Sequence, residues 1–331
     1  MKTIWHWILN LNSQTLATVI KIALVALKIG RFGEKVHLPY KLRVIVTKLV
    51  TQAPFVPEDL SHSNSITVMI PCVEKDLPFL STCIEGVRRN VVNPVDKISI
   101  ITNCSELVKS RVESTVEVIS ENGYLPHLIQ EFIYENIPKT VQGWVTKQII
   151  VFHYVYMSQQ DGVLTVDADT ILLNPRKFLK NEKQILCPVV EYEQHDAFTT
   201  YKTWKSSAVS LGISFKAHHM LMKPKIVREM FDSLGGFEQG SIDWLKSTLQ
   251  EKWIPFSEFH SYATWILNQY PNQVELVRWG NIRASRSNIE SNPDFPSSTN
   301  LYEAIKKLYP TFNSVSFHHY LAEDFSESEV S

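Results

Sequence analysis

The chain has 331 residues, of which 44% are hydrophobic and 20% charged, an ordinary globular composition that excludes wholesale disorder. At this length roughly 75% of the unfolded chain's surface can be buried, so no staple of disulfides or metal is required to hold a core. The formal charge of -1 leaves the protein without the overall cationic field that grips a nucleic-acid backbone, and no nucleic-acid partner is expected. Cys72, Cys83, Cys104 and Cys187 form no C-x-x-C pair and read as buried thiols of a reducing compartment.

Residues 1–60 form a basic segment, with eight Lys or Arg against three acidic residues. Its apolar run at 16–29, LATVIKIALVALKI, is interrupted by Lys21 and Lys28 and is shorter than the ~20 apolar residues of a spanning helix. It reads as a helical extension: either an interfacial anchor on an anionic, cytoplasmic membrane face, or a helix packed on the domain with its lysines turned outward. A cytoplasmic location, with or without peripheral membrane contact, follows from either reading.

A polar, proline-bearing stretch at 51–65 leads into the main domain. Residues 66–70 are a β-prone run that Pro71 is expected to end, residues 77–87 have helical spacing, and KISIIT at 97–102 gives a second strand. Strand, loop, helix, strand is the opening of a parallel sheet with crossover helices, and residues 116–119 offer a third short strand. Residues 141–156 carry Val141, Val145, Ile149, Phe152 and Tyr156 at intervals of four, four, three and four, one buried helical stripe. The all-apolar strand at 163–166 then suits a central position in a parallel sheet. Further expected elements are a strand at 184–190, an extended stretch at 214–222, a helix at 225–234 stopped by Gly235 and Gly236, and a helix at 257–269. From Trp279 the chain reads as polar until 315–320. The domain division expected is 1–60, a core at 61–190, and an acceptor-binding part with a tail at 191–331.

Chemistry concentrates at Asp167-Ala168-Asp169, which closes the apolar strand. Ligands of open α/β sheets bind beyond the carboxyl ends of strands. Two carboxylates so close raise each other's proton affinity unless a cation compensates, and carboxylates suit Mg²⁺ or Mn²⁺. The opposing reading is a helix-capping turn. Lys147 and Gln148, taken to lie near a helix N-terminus, are candidates for contact with phosphate or sugar. Ser257 is a suitable N-cap, with Glu258 and His260 beyond it at the mouth of a cleft. Glu258 would serve as the base of an inverting transfer or orient the acceptor in a retaining one. The chain has no G-x-G-x-x-G, P-loop, H-E-x-x-H or G-x-S-x-G motif, which argues against dinucleotide enzymes, P-loop ATPases, simple zinc peptidases and α/β-hydrolases.

LTVDADTILLNP, preceded by a helix that begins GWVTKQ, resembles the nucleotide-binding core of the GT-A-fold glycosyltransferases, and more specifically their bacterial glycosyltransferase-like branch. The resemblance implies an α/β fold with a Rossmann-like, mostly parallel central sheet flanked by helices. It also implies transfer of a sugar from a nucleotide-sugar donor to a glycan or lipid-linked acceptor, with Mn²⁺ or Mg²⁺ as cofactor. Carried over, Asp167 contacts the ribose or reaches the metal through water, Asp169 binds the metal directly, and Pro71 and Val73 pack against the base. A third metal ligand would come from His318 or His319, or a site role would fall to His218 or His219. Adjacent histidines on a strand face opposite ways, so one of each pair at most points into the cleft. The chain lacks an H-x-x-G-x-x-K-P-W segment, which sets it apart from the glycogenin-like enzymes. The rival readings are a nucleotidyltransferase, which would want a glycine-rich basic loop after the first strand, and a non-catalytic glycan-binding protein.

Overall fold

The structure is a computed structural model that describes residues 64–180, 183–189, 214–249, 257–284 and 300–317. The expected N-terminal helical extension at 1–60 lies outside them, as do His318 and His319. Among the described residues no helix is long and apolar enough to cross a membrane.

Five strands make the central sheet in the order β3-β2-β1-β4-β8: β1 (Ile66–Cys72), β2 (Val95–Thr102), β3 (Glu117–Ser120), β4 (Val163–Val166) and β8 (His219–Met222). The first four run parallel and β8 pairs antiparallel to β4, so the sheet is mixed rather than uniformly parallel. Helices cover both faces: α1 (Leu77–Asn90), the short α2 (Ser105–Lys109), α3 (His127–Asn136), α4 (Lys139–Met157), α5 (Pro224–Asp232), α6 (Phe237–Leu249) and α7 (Glu258–Gln269). Side-chain alternation along β1 feeds two cores, Met69 joining the α4 to α7 side and Val68 and Ile70 the α1 side.

The helix predicted at 141–156 spans Lys139–Met157, and Val145, Ile149 and Phe152 of its stripe are fully buried. Its C-terminal half is buried more widely, through Ile150, Val151, Tyr154 and Val155, because it lies between the sheet and helices α5 to α7.

Pro71 does not end β1 as its sequence suggested. Thr67 N–H donates to Gly162 O at 3.1 Å, so every second residue, Met69 and then Pro71, turns its backbone toward β4. Pro71 has no N–H to give, and the β1–β4 register stops at Met69 with Thr165 while β1–β2 pairing continues to Cys72 with Thr102. The β1–β4 ladder therefore ends there. It ends where the strand order turns from the β1-β2-β3 direction back to β4, the switch point at which α/β sheets place ligands.

The sequence offered one strand, at 184–190, of two three-stranded sheets that lie beside the central sheet. One is β10 (Asn281–Ala284), β11 (Ser314–Phe317) and β5 (Thr170–Leu172), with α8 (Leu301–Leu308) between β10 and β11; the other is β6 (Leu179–Lys180), β7 (Lys183–Leu186) and β9 (Val274–Leu276). The stretch after Trp279 is thus structured where described, with Trp279 itself buried and donating Nε1–H to Ser314 Oγ at 2.8 Å. The four cysteines are free thiols.

Helix α1 approaches β5 closely at Gly86. A Cβ there would meet Leu172 O at 2.9 Å and Leu172 N at 3.0 Å, backbone atoms that cannot rotate away. Gly86→Ala is expected to destabilise the protein by about 1–2 kcal/mol despite alanine's better helix propensity. A urea midpoint that stays put or rises would show that this contact is looser than described.

Candidate active site

The acid pair sits in a turn at the carboxyl end of β4. Every residue of β4 is buried, Thr170 N–H closes the turn on Asp167 O at 2.9 Å, and Ala168 is buried beneath it. Asp169 O accepts Phe317 N–H at 2.9 Å, and Thr170 Oγ1 lies 2.9 Å from Ser316 Oγ, so β11 fixes the far side of the turn.

Asp167 is held from two directions. Lys147 Nζ lies 2.7 Å from Oδ1, and His218 Nδ1 lies 3.3 Å from Oδ2. His218 also accepts Asp167 N–H on its carbonyl at 2.9 Å and adopts φ +59° to do so. That left-handed conformation is unfavourable for a residue with a Cβ, and such outliers gather at functional sites. Burial pushes the Asp167 carboxyl up, but Lys147 and the hydrogen bond from His218 outweigh it and hold the group well below the usual carboxylate range. Asp169 goes the other way: burial first, then the neighbouring Asp167 charge, push it up to about 7. Asp76, in the short 3-10 turn after β1, adds to that rise through its own charge.

Lys147 makes a second contact, at 3.1 Å from Glu258 Oε1, and so bridges the β4 turn to the start of α7. Burial opposes its charge, yet Asp167 and Glu258 together hold the ammonium above its ordinary proton affinity. Gln148 Oε1 accepts the Glu258 N–H at 3.0 Å, and Ser257 Oγ accepts His260 N–H at 3.4 Å, so α7 is capped from two sources.

Several expectations change in this light. Lys147 and Gln148 are not at a helix N-terminus, because α4 begins at Lys139 and both lie more than two turns inside it. Gln148 is buried as a cap for α7. Glu258 is 4% exposed and faces Lys147 instead of standing at a cleft mouth. His260 is also buried, with its ring 6.2 Å from that of Phe215. His219 points into the core, where Nδ1 contacts Ala217 O at 2.8 Å and the ring lies 4.4 Å from Trp279; burial pushes its imidazole down to about 4. His218 is the one of that pair that reaches the acid turn. Pro71 and Val73 are half-buried at the carboxyl end of β1.

Sequence reasoning missed Asp76 and the Lys147–Glu258 pairing. Asp76 had one available signal, its place in the EKD run directly after the first strand. The second had none, since 111 residues separate the partners.

The donor set fits a hard divalent cation in part. Burial and then the Asp167 charge raise Asp169, and a cation would relieve the second. Both Asp167 oxygens are engaged by Lys147 and His218, and Asp169 Oδ1 lies 3.4 Å from the Thr170 hydroxyl that donates to it. Among the described residues no group of three or more His, Cys, Asp or Glu side chains is arranged to hold a metal. The last described residue before His318 is Phe317, which is bonded to Asp169 O.

The class defined by these features is an α/β protein with an acid turn at the switch point of a mixed, helix-flanked sheet. The chain belongs to the family described as "Family of unknown function (DUF6492)", which matches residues 88–289. No curated protein matches the sequence. Among solved structures the chain is similar to apo mouse xyloside xylosyltransferase 1, at 8% identity and TM-score 0.44, covering 77% of this chain and 98% of that one. It is also similar to an active-site mutant of LgtC at 10% identity and TM-score 0.42, and to the galactosyltransferase LgtC with donor and acceptor sugar analogs at 10% and 0.40. Each LgtC match covers 76% of this chain and 86% of the other.

The opposed shifts of the two aspartates predict how metal-free protein responds to pH. A carboxyl whose folded pKa is raised contributes stability below its unfolded value, and that stability is lost as pH climbs through the folded value. For Asp169 the window runs from 3.8 to about 7. In chelator-treated buffer the melting temperature of the wild type should fall relative to Asp169→Asn across that window. Parallel profiles for the two proteins would contradict the repulsion between the aspartates.

Proposed function

We propose that the protein is a metal-dependent glycosyltransferase that moves a sugar from a nucleotide-sugar to a glycan or lipid-linked acceptor. The observation that carries this reading is the Asp167-Ala168-Asp169 turn beside the end of the β1–β4 ladder, with Asp167 locked by Lys147 and His218. A GT-A-like arrangement is the form of the fold that this reading adopts.

Asp169, with Asp167 beside it, would hold Mn²⁺ or Mg²⁺, with His318 or His319 as candidate further ligands. The ion would neutralise the diphosphate as it leaves. The glycine-poor chain, with 11 glycines and no glycine-rich cradle after β1, suits a protein that grips diphosphate through a cation. The nucleotide would lie against Pro71 and Val73, where β1–β4 pairing has ended. Lys147 keeps Asp167 ionised and oriented, and Glu258 keeps Lys147 in place; this positioning role replaces the acceptor-base role first considered for Glu258. His260 and His219, both buried, carry no role here. Surface polysaccharide synthesis at the cytoplasmic membrane face is the setting that the basic segment at 1–60 suggests.

The test is a thermal-shift panel of nucleoside diphosphates with and without Mn²⁺. A ligand at about 100 times its Kd stabilises by about 2.7 kcal/mol, a rise of several degrees. At least one diphosphate should produce that rise only when Mn²⁺ is present, and Asp169→Ala should abolish it. No metal-dependent response to any member, or the same response in the variant, would sink the proposal.

A further inference from the structure

A second site lies on the outer side of α4. Helices α3 and α4 border an open surface groove of about 520 Å³, lined by His127, Glu131, Tyr134, Glu135, Gln142 and Thr146 among others. That volume is in the range of small-molecule sites. Tyr134 is 75% exposed, an aromatic face offered to solvent beside amide, hydroxyl and carboxylate groups. The wall is firm: Gln142 Nε2 donates to Ile133 O, Tyr134 O and Ile137 O at 3.2, 3.1 and 2.8 Å, which ties α4 to the end of α3.

Gly143 connects this groove to the acid turn. On a helix, residues three and four apart are neighbours at about 5–6 Å. Thr146 lines the groove and Lys147 grips Asp167, so Gly143 borders both. A glycine inside a helix costs about 1 kcal/mol relative to alanine. Nothing in the fold accounts for this one, since its φ is not left-handed and, among the described residues, no atom lies within 4 Å of where its Cβ would stand. A bare backbone at that point is what a bound molecule lying across the helix would require. Trp144, 42% exposed, stands next to it.

We propose that the α3–α4 groove binds a neutral or amine-bearing oligosaccharide, which passes over Gly143 toward Lys147 and the acid turn. Tyr134 supplies the stacking face for a sugar ring, the Gln142 amide oxygen and Thr146 the hydroxyl partners, and Glu131 and Glu135, with His127 3.8 Å from Glu131, disfavour carboxylated or phosphorylated glycans. Its purpose, holding an acceptor in line with the donor, rests on the transferase reading, whereas its binding chemistry rests on the groove alone.

The full-length wild type, Tyr134→Ala, Gly143→Leu and Asp169→Asn are applied to an array of neutral, amine-bearing and acidic oligosaccharides, and their melting temperatures are recorded. The wild type should retain neutral or amine-bearing members. Tyr134→Ala and Gly143→Leu should each weaken that retention about tenfold or more, the second while melting no lower, and about a degree higher, because the helix gains a better residue. Asp169→Asn should keep glycan retention; if the wild type also shows no metal-dependent diphosphate response, the transferase reading fails and the groove stands. Absence of any bound oligosaccharide, preference for acidic members, or full retention by Tyr134→Ala and Gly143→Leu would overturn the groove proposal.

Discussion

A single ammonium holds the site together. Lys147 reaches from the middle of α4 to Asp167 on one side and Glu258 on the other, and so ties the end of the central sheet to the start of α7. Its charge compensates two carboxylates in a largely buried setting, where an unpaired charge is far more costly than at the surface. The rest of the arrangement follows. Gln148, the next residue, caps α7 and fixes where Glu258 begins, and His218 accepts a left-handed backbone to meet Asp167 from the opposite side.

Asp169 carries the opposite shift. Its proton affinity is raised first by burial and then by the neighbouring Asp167 charge. The β1–β4 ladder stops where Pro71 has no N–H to give to β4. The metal-held diphosphate proposed for this strand end depends on that proline and on Lys147.

The parts of this legible in the sequence were those set by local periodicity. The buried stripe of α4, the apolar β4 and the acid pair after it lie within one stretch, and their patterns report burial directly. Strand alternation told that His218 and His219 oppose each other, but the choice between them depended on the left-handed turn at His218, which no pattern marks. Glu258 and His260 looked exposed because a capped helix start usually is, whereas α7 begins inside the core. Pro71 misled in the opposite sense, since its effect depended on which neighbouring strand its backbone faced. The short strands β5, β6, β9, β10 and β11, each of two to four residues, are too brief for a period of two to emerge, whereas β7 was marked by its apolar run. Their pairing is decided by partners distant in sequence.

The most direct test of the central claim is anomalous scattering at the manganese edge from crystals grown with Mn²⁺ and a nucleoside diphosphate. The account predicts one strong peak within bonding distance of an Asp169 carboxylate oxygen, with the diphosphate beside it at the carboxyl ends of β1 and β4. A diphosphate bound without manganese at Asp169, or manganese bound only elsewhere on the protein, would contradict it.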